Sequence, residues 1–323
     1  MINHILNRFL RGGASSENSS VGSPSSSLIP CPSQVINNRR VMHETQMLLI
    51  GRGMANIVKA KDDIGSFQDV EFKVFSEWGD DGIIQWLVHH LDIPHKSFIE
   101  FGVQDYRESN TRFLMMNDNW SGFVLDGSEN NIAAIINSEY YWRYDLAAEY
   151  AFIDSSNIND LISKRSFEKE VGILHIDIDG MDYWVWMAID VISPLIVIVE
   201  YNSVFGSERA VTVPYDPLFE RTKAHHSNLF FGASLRALHL LSQDKGYAFI
   251  GCNSAGNNAY FIRRDKLNSH VREVSVEEGF VLSKFRESRD LNGNLTHISN
   301  DNRIELIKGM TVFDAETRNL VLL

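Results

Sequence analysis

From Phe75 onward the sequence alternates short apolar runs with amphipathic stretches, and most of the apolar runs close on an acidic residue. Residues 82–91 place Ile83, Ile84, Leu87 and Leu91 on one helical face. Runs of strand length follow at 97–101, 122–126, 141–145, 172–178 and 195–200, with helical spacing near 109–117, 130–138, 183–191 and 232–245. Strands alternating with helices imply an α/β fold, a Rossmann-like, doubly wound, mostly parallel sheet covered on both faces. Two more strands are expected at 247–252 and 259–263. Only Asn253-Ser254-Ala255-Gly256-Asn257 joins them, too short for a crossover helix. They must pair as an antiparallel C-terminal hairpin at one edge, so that one edge strand runs antiparallel. There is no internal repeat.

The rest of the chain divides by composition. Residues 1–37 begin with Ile2, Ile5, Leu6, Phe9 and Leu10 at helical spacing and continue through a Ser/Pro-rich stretch. That stretch has too little apolar surface to order itself and reads as a disordered linker. The leading helix reads as a loose start of chain, a membrane-surface or oligomer contact, or a transit segment. Residues 38–74 form a helical segment, 75–265 the α/β domain and 266–323 a C-terminal extension. Within the second of these, Gly51-Arg52-Gly53 imitates a phosphate loop, but Asn56 stands where the third glycine belongs.

Charge and cysteine content exclude several classes. Thirty basic residues against 42 acidic ones leave a net charge of −12, which argues against a nucleic-acid surface. The longest apolar run, 183–189, is far short of the ~18 residues that span a bilayer. Cys31 and Cys252 are the only cysteines. They exclude a disulfide scaffold and a cysteine-based zinc site, and make a reducing, cytoplasmic setting the default.

In open α/β sheets ligands sit outside the carboxyl ends of the strands. Here those ends carry Glu100 and Gly102, then Asp126 and Ser128, then Asp145, then Asp177, Asp179 and Asp182, then Glu200 and Asn202. A single acid at a strand end is most simply a helix cap; acids at five successive ends are hard to assign to caps alone. Asp126, 26 residues after Glu100, stands where a carboxylate accepts the hydroxyls of an adenosine ribose. The first loop, Phe101-Gly102-Val103-Gln104-Asp105-Tyr106, has one glycine and an acid. It lacks the close backbone approach a pyrophosphate needs and suits a cationic sulfonium.

The runs Phe98-Ile99-Glu100-Phe101-Gly102, Ser109-Asn110-Thr111-Arg112-Phe113-Leu114, Trp120-Ser121-Gly122-Phe123-Val124-Leu125-Asp126 and His175-Ile176-Asp177-Ile178-Asp179-Gly180 resemble class I S-adenosylmethionine-dependent methyltransferases. They are most similar to the FkbM-like branch found with surface-polysaccharide and O-antigen genes, and Glu77-Trp78-Gly79-Asp80-Asp81-Gly82 resembles the segment upstream of that fold. The resemblance covers roughly residues 75–263. It implies an S-adenosyl-L-methionine cofactor held by Glu100, Gly102, Asp126, Ser128 and Asp145, and a sugar or glycan hydroxyl as acceptor. The first motif departs from the usual pattern by lacking its second and third glycines.

At the centre of the sheet two chemistries remain open. Asp177, Glu200 and Asn202 offer hard oxygen ligands to Mg²⁺, which would acidify an acceptor hydroxyl; alternatively Asp179 and Asp182 cap the next helix and Asn202 shapes a turn. His225 and His226 lie in a segment of about 30 residues after the fifth strand, longer than an ordinary loop and so readable as a lid or acceptor site. Either could be a general base, with Asp177 or Asp179 orienting it. Arg286, Arg289 and Arg303 could grip an acidic acceptor or belong to a solvated face. The competing readings are a nicotinamide-dependent oxidoreductase on a similar sheet and a non-catalytic module of the same fold.

Overall fold

The computed structural model describes residues 32–165, 169–299 and 302–323. The expected leading helix and most of the Ser/Pro-rich linker lie outside them. The chain falls into two compact units, Met1–Glu44 and Thr45–Leu323. Among the described residues no helix is long and apolar enough to cross a membrane.

Helix α1 (Pro32–Lys59) carries the imitation phosphate loop in its interior. Gly51 is there for packing: a Cβ on it would stand 2.6 Å from Val74 and 2.8 Å from Phe113. The alternating region then follows as α2 (Asp80–His90), β1 (Ser97–Phe101), α3 (Arg112–Asp118), β2 (Ser121–Asp126), α4 (Glu129–Ile136), α5 (Glu139–Arg143) and β3 (Leu146–Tyr150). After these come α6 (Ile158–Ser163), β4 (Ile173–Ile176), α7 (Asp182–Ala188) and β5 (Ile196–Glu200). The long insertion contributes β6 (Val211–Thr212) and α8 (Arg221–Ala224), and α9 (Leu235–Asp244), β7 (Tyr247–Cys252) and β8 (Asn258–Arg263) close the main sheet. The remainder holds α10 (Val276–Gly279), α11 (Asn302–Leu306), β9 (Thr311–Asp314) and β10 (Asn319–Leu322).

The main sheet has the order β3-β2-β1-β4-β5-β8-β7. The first five strands are parallel, which buries both faces and explains why their sequences are continuous apolar runs. Alternate residues feed two cores: Ile99, Phe101, Leu174 and Val197 join one, and Phe98, Val124, Ile173 and Ile196 the other. The hairpin lies at the edge as expected, but the outermost strand is not the antiparallel one. The antiparallel strand is β8, which inserts between β5 and β7 and leaves β7 outermost.

A second departure matters for the site. The expected third strand at 141–145 is mostly helix α5, and β3 begins at Leu146. Tyr140, Tyr141 and Trp142 are aromatic and fit strand or helix equally by composition, and pairing with β2 selects 146–150 instead. A third departure concerns the extension. β9 pairs with β6 on one side and β10 on the other to make a three-stranded sheet, so the C-terminus is built into the insertion after β5.

Candidate functional site

The carboxyl ends of the parallel strands open into a cavity of about 430 Å³, a size typical of small-molecule sites. Gly102, Gln104, Asp126, Asp177 and Glu200 line it from the tips of β1, β2, β4 and β5, and Phe152 and Ile153 from the turn after β3. Glu77, Phe219, Arg221 and Glu287 close it from the surrounding segments.

Gly102 is required by geometry. Its φ is +74°, and a Cβ would stand 1.6 Å from the Asp177 carbonyl oxygen. The turn after β1 therefore crosses the exit of β4 at a separation only glycine permits. Beside it, Asp126 is held in one orientation. Its Oδ2 accepts from the Gln104 N–H at 2.7 Å, and its Oδ1 from the Ser128 N–H and the Asn131 amide at 2.9 Å each. Ser128 acts as N-cap of α4, accepting from the Asn131 N–H.

The acidity of the site is uneven. Burial pushes the Asp177 carboxyl up to about 7, with Asp179 and Asp182 adding to the rise and His175 opposing it. Glu200 is pushed well above the carboxylate range by burial and then by Asp177 and Asp179, against the pull of Arg221. Only 9% of Glu200 is exposed, and its Oε2 is buried with no partner. Arg221 reaches in from α8, stacks on Phe231 at 3.7 Å and pairs with Asp179 at 2.8 Å.

The other expected residues divide by what already occupies them. Glu100 belongs to the interior. One oxygen accepts from the Asn110 N–H and faces His175 Nδ1 at 2.9 Å; the other accepts from Ser109 and from the Thr111 N–H and hydroxyl. Burial alone would raise Glu100, but the bond and charge of His175 and the two hydroxyls outweigh it and hold it below its ordinary value. It therefore fixes the β1–α3 turn and does not line the cavity. Asp145 precedes β3, and its carbonyl accepts from Gly122 at the start of β2, so it sits at the opposite end of the parallel strands from Asp126. Asp182 spends its carboxylate on the Ile178 and Gly180 N–H groups. Asp179 is exposed at a φ of +58°, on the rim with Arg221.

Asn202 is committed to backbone. Its amide donates to the Leu229 and Phe231 carbonyls and its oxygen accepts from Val204. It shapes the turn and leaves the expected Mg²⁺ ligand set with two members. His225 and His226 stack on each other with ring centroids 4.2 Å apart, and His225 Nδ1 is 2.8 Å from the Ser227 hydroxyl. Neither lines the cavity; the residues of that insertion that do are Phe219 and Arg221. Arg303 is buried and donates to Ser283 and Phe285.

Gln104, Phe152, Ile153, Arg221 and Glu287 had no place among the expected site residues. Phe152 and Ile153 were hidden by the misplaced third strand. Arg221 sits four residues before the histidines that drew attention to the insertion. Nothing in the sequence marks Glu287.

No protein-family model matches the chain, and no curated protein sequence matches it. Among solved structures it is similar to the N-terminal domain of EvdMO1 with S-adenosylhomocysteine bound, at 10% identity and a TM-score of 0.36, over 65% of this chain and 93% of that one. It is also similar to TrmK of M. capricolum in complex with S-adenosylhomocysteine, at 9% identity and a TM-score of 0.34, over 57% of this chain and 69% of that one. An O-methyltransferase family protein from Burkholderia thailandensis aligns at 11% identity and a TM-score of 0.35, over 68% of this chain and 57% of that one. Likeness this loose carries no function. The fold itself is plain from the strand order: a mixed, mostly parallel seven-stranded sheet with the hairpin at its edge.

Proposed function

We propose that this chain transfers a methyl group from S-adenosylmethionine to a hydroxyl of a sugar or polysaccharide precursor. The observation that supports it most is Asp126, a carboxylate at the tip of the second strand, pre-oriented by two N–H groups and facing a cavity whose first loop has no pyrophosphate-binding glycines. The residues present fit the cofactor. Asp126 would accept the ribose hydroxyls, Phe152 and Ile153 would flank the adenine, and the Gly102–Gln104 turn would border the amino-acid end. When bound, the sulfonium supplies an activated methyl group to an acceptor oxygen.

The chain's own residues supply the proton chemistry. Asp177, with a pKa of about 7, is suited to accept the proton of an acceptor hydroxyl near neutral pH. The unpartnered Glu200 Oε2 provides a second point to hold that hydroxyl. Arg221 closes the far side and balances the ring of acids. The sugar acceptor rests on the sequence resemblance. No divalent metal enters the proposal, because Asn202 is turned into backbone bonds.

Calorimetry tests the cofactor. Wild type is expected to bind S-adenosylhomocysteine, and Asp126→Ala to weaken it about ten- to a hundredfold, the cost of losing a charged hydrogen-bond partner. Tight NADH binding without S-adenosylhomocysteine binding would replace the reading with an oxidoreductase. Binding of neither would leave a non-catalytic module. Methyl transfer from labelled cofactor to nucleotide sugars or glycans tests the acceptor, and transfer only to RNA or protein would overturn it.

A further inference from the structure

On the sheet edge where the parallel strands begin, away from the acidic cavity, three side chains converge that the proposed reaction does not use. Asp62 follows α1, His90 ends α2, and His270 lies in the turn after β8. Each offers one ligand atom, and these atoms lie within 4.8 Å of one another. The two imidazole rings stand 4.8 Å apart, inclined by 36°.

Two observations mark this as a ligand set. His90 Nε2 is buried and has no hydrogen-bond partner, whereas buried polar nitrogens are ordinarily bonded. His270 Nδ1 lies 2.8 Å from the Asp62 carbonyl oxygen. A carbonyl can only accept, so Nδ1 carries the proton and Nε2 keeps a lone pair. That outward bond is the one metal-binding histidines commonly make to fix their tautomer.

We propose that Asp62, His90 and His270 form a binding site for Zn²⁺. Two imidazoles and a carboxylate are a common donor set for this ion, with water completing a tetrahedron. Ligand atoms about 2.0–2.1 Å from a tetrahedral zinc lie about 3.4 Å from one another, so the set closes by roughly 1 Å on loading. Asp62 is exposed and both histidines are partly so, which leaves their side chains free to make that adjustment. The ion would clip together three segments distant in sequence: the exit of α1, the end of α2 and the chain after β8. Its effect is on stability.

The test uses the full-length protein, stripped with a chelator, desalted and titrated calorimetrically with ZnCl₂. Wild type is expected to take up one equivalent in a saturable step and to gain about 5 °C in Tm when free Zn²⁺ is about 100 times Kd. His90→Gln and His270→Gln are each expected to lose affinity by at least about tenfold. His270 is partly exposed, so His270→Gln keeps the test readable if His90→Gln does not fold. Absence of a saturable step in wild type, or equal affinity in wild type and His270→Gln, would overturn the proposal.

Discussion

Glu100, Asp126 and Glu200 are three acids at the ends of three parallel strands, and their partners give them three different roles. Glu100 is saturated by hydroxyls, N–H groups and His175; Asp126 is oriented by two N–H groups and an amide yet borders the cavity; Glu200 keeps a buried oxygen without a partner. Removing the first should therefore read as lost stability, since it strands several buried donors at once. Glu100→Ala is expected to lower the unfolding free energy by about 3–5 kcal/mol, the range for breaking a buried ion pair. A shifted urea midpoint at unchanged slope would show it. A stable variant with weakened cofactor binding would instead return Glu100 to the ligand. The pair also has a pH signature. His175 is raised above 6.5, so its contribution is full below that value and lost as pH rises through its folded pKa. Glu100 is lowered below 4.5, so its contribution is full above that value and lost as pH falls through its folded pKa.

At the scale of elements, the insertion after β5 is the part whose order depends most on distant chain. β6 has only two residues and finds its sheet partner in β9, about 100 residues later. Val312 is fully buried and Phe313 packs on Trp184 with centroids 4.9 Å apart, while Trp184 donates to the Val213 carbonyl. This arrangement steadies the segment that carries Arg221 into the cavity. Deleting residues 309–323 is expected to cost about 3 kcal/mol or more from the exposed core alone, and to raise KM more than it lowers kcat. Urea unfolding and steady-state kinetics of the truncated protein check both parts. Unchanged stability would show that β6 and α8 hold their places without the C-terminal strands.

For the whole molecule, the buried acids set the direction of the pH response. Asp81 is raised to about 6, Asp182 to about 6 and Asp177 to about 7, each first by burial, and Glu200 well above its ordinary value. The folded state thus holds protons that the unfolded chain releases between its ordinary carboxylate values and these raised ones, and stability falls as pH rises through that window. His175 acts in the same direction above 6.5. The ligand-free protein is expected to melt at a higher temperature at pH 6 than at pH 8. A cationic cofactor should narrow the difference by favouring ionised Asp177 and Glu200. Calorimetric scans with and without S-adenosylmethionine measure this, and a Tm that rises with pH would contradict it.

Local physical chemistry determined much of the fold. Apolar runs buried on both faces, helices spaced at 3.6 residues and acids at the strand exits were legible because each depends on a few adjacent residues, and β1, β2, β5, β7 and β8 fall within a residue of where the pattern places them. Register and partnership decided the rest. Pairing with β2 moved the third strand past Asp145 and brought Phe152 and Ile153 to the cavity. Insertion of β8 between β5 and β7 put the antiparallel strand inside the edge. Hydrogen-bond partners drawn from other elements decided which acids are structural and which face the ligand space, because a carboxylate's role follows from the donors around it. Asp62, His90 and His270 are separated by 28 and 180 residues and follow no motif, so only the folded chain brings them within reach of one ion.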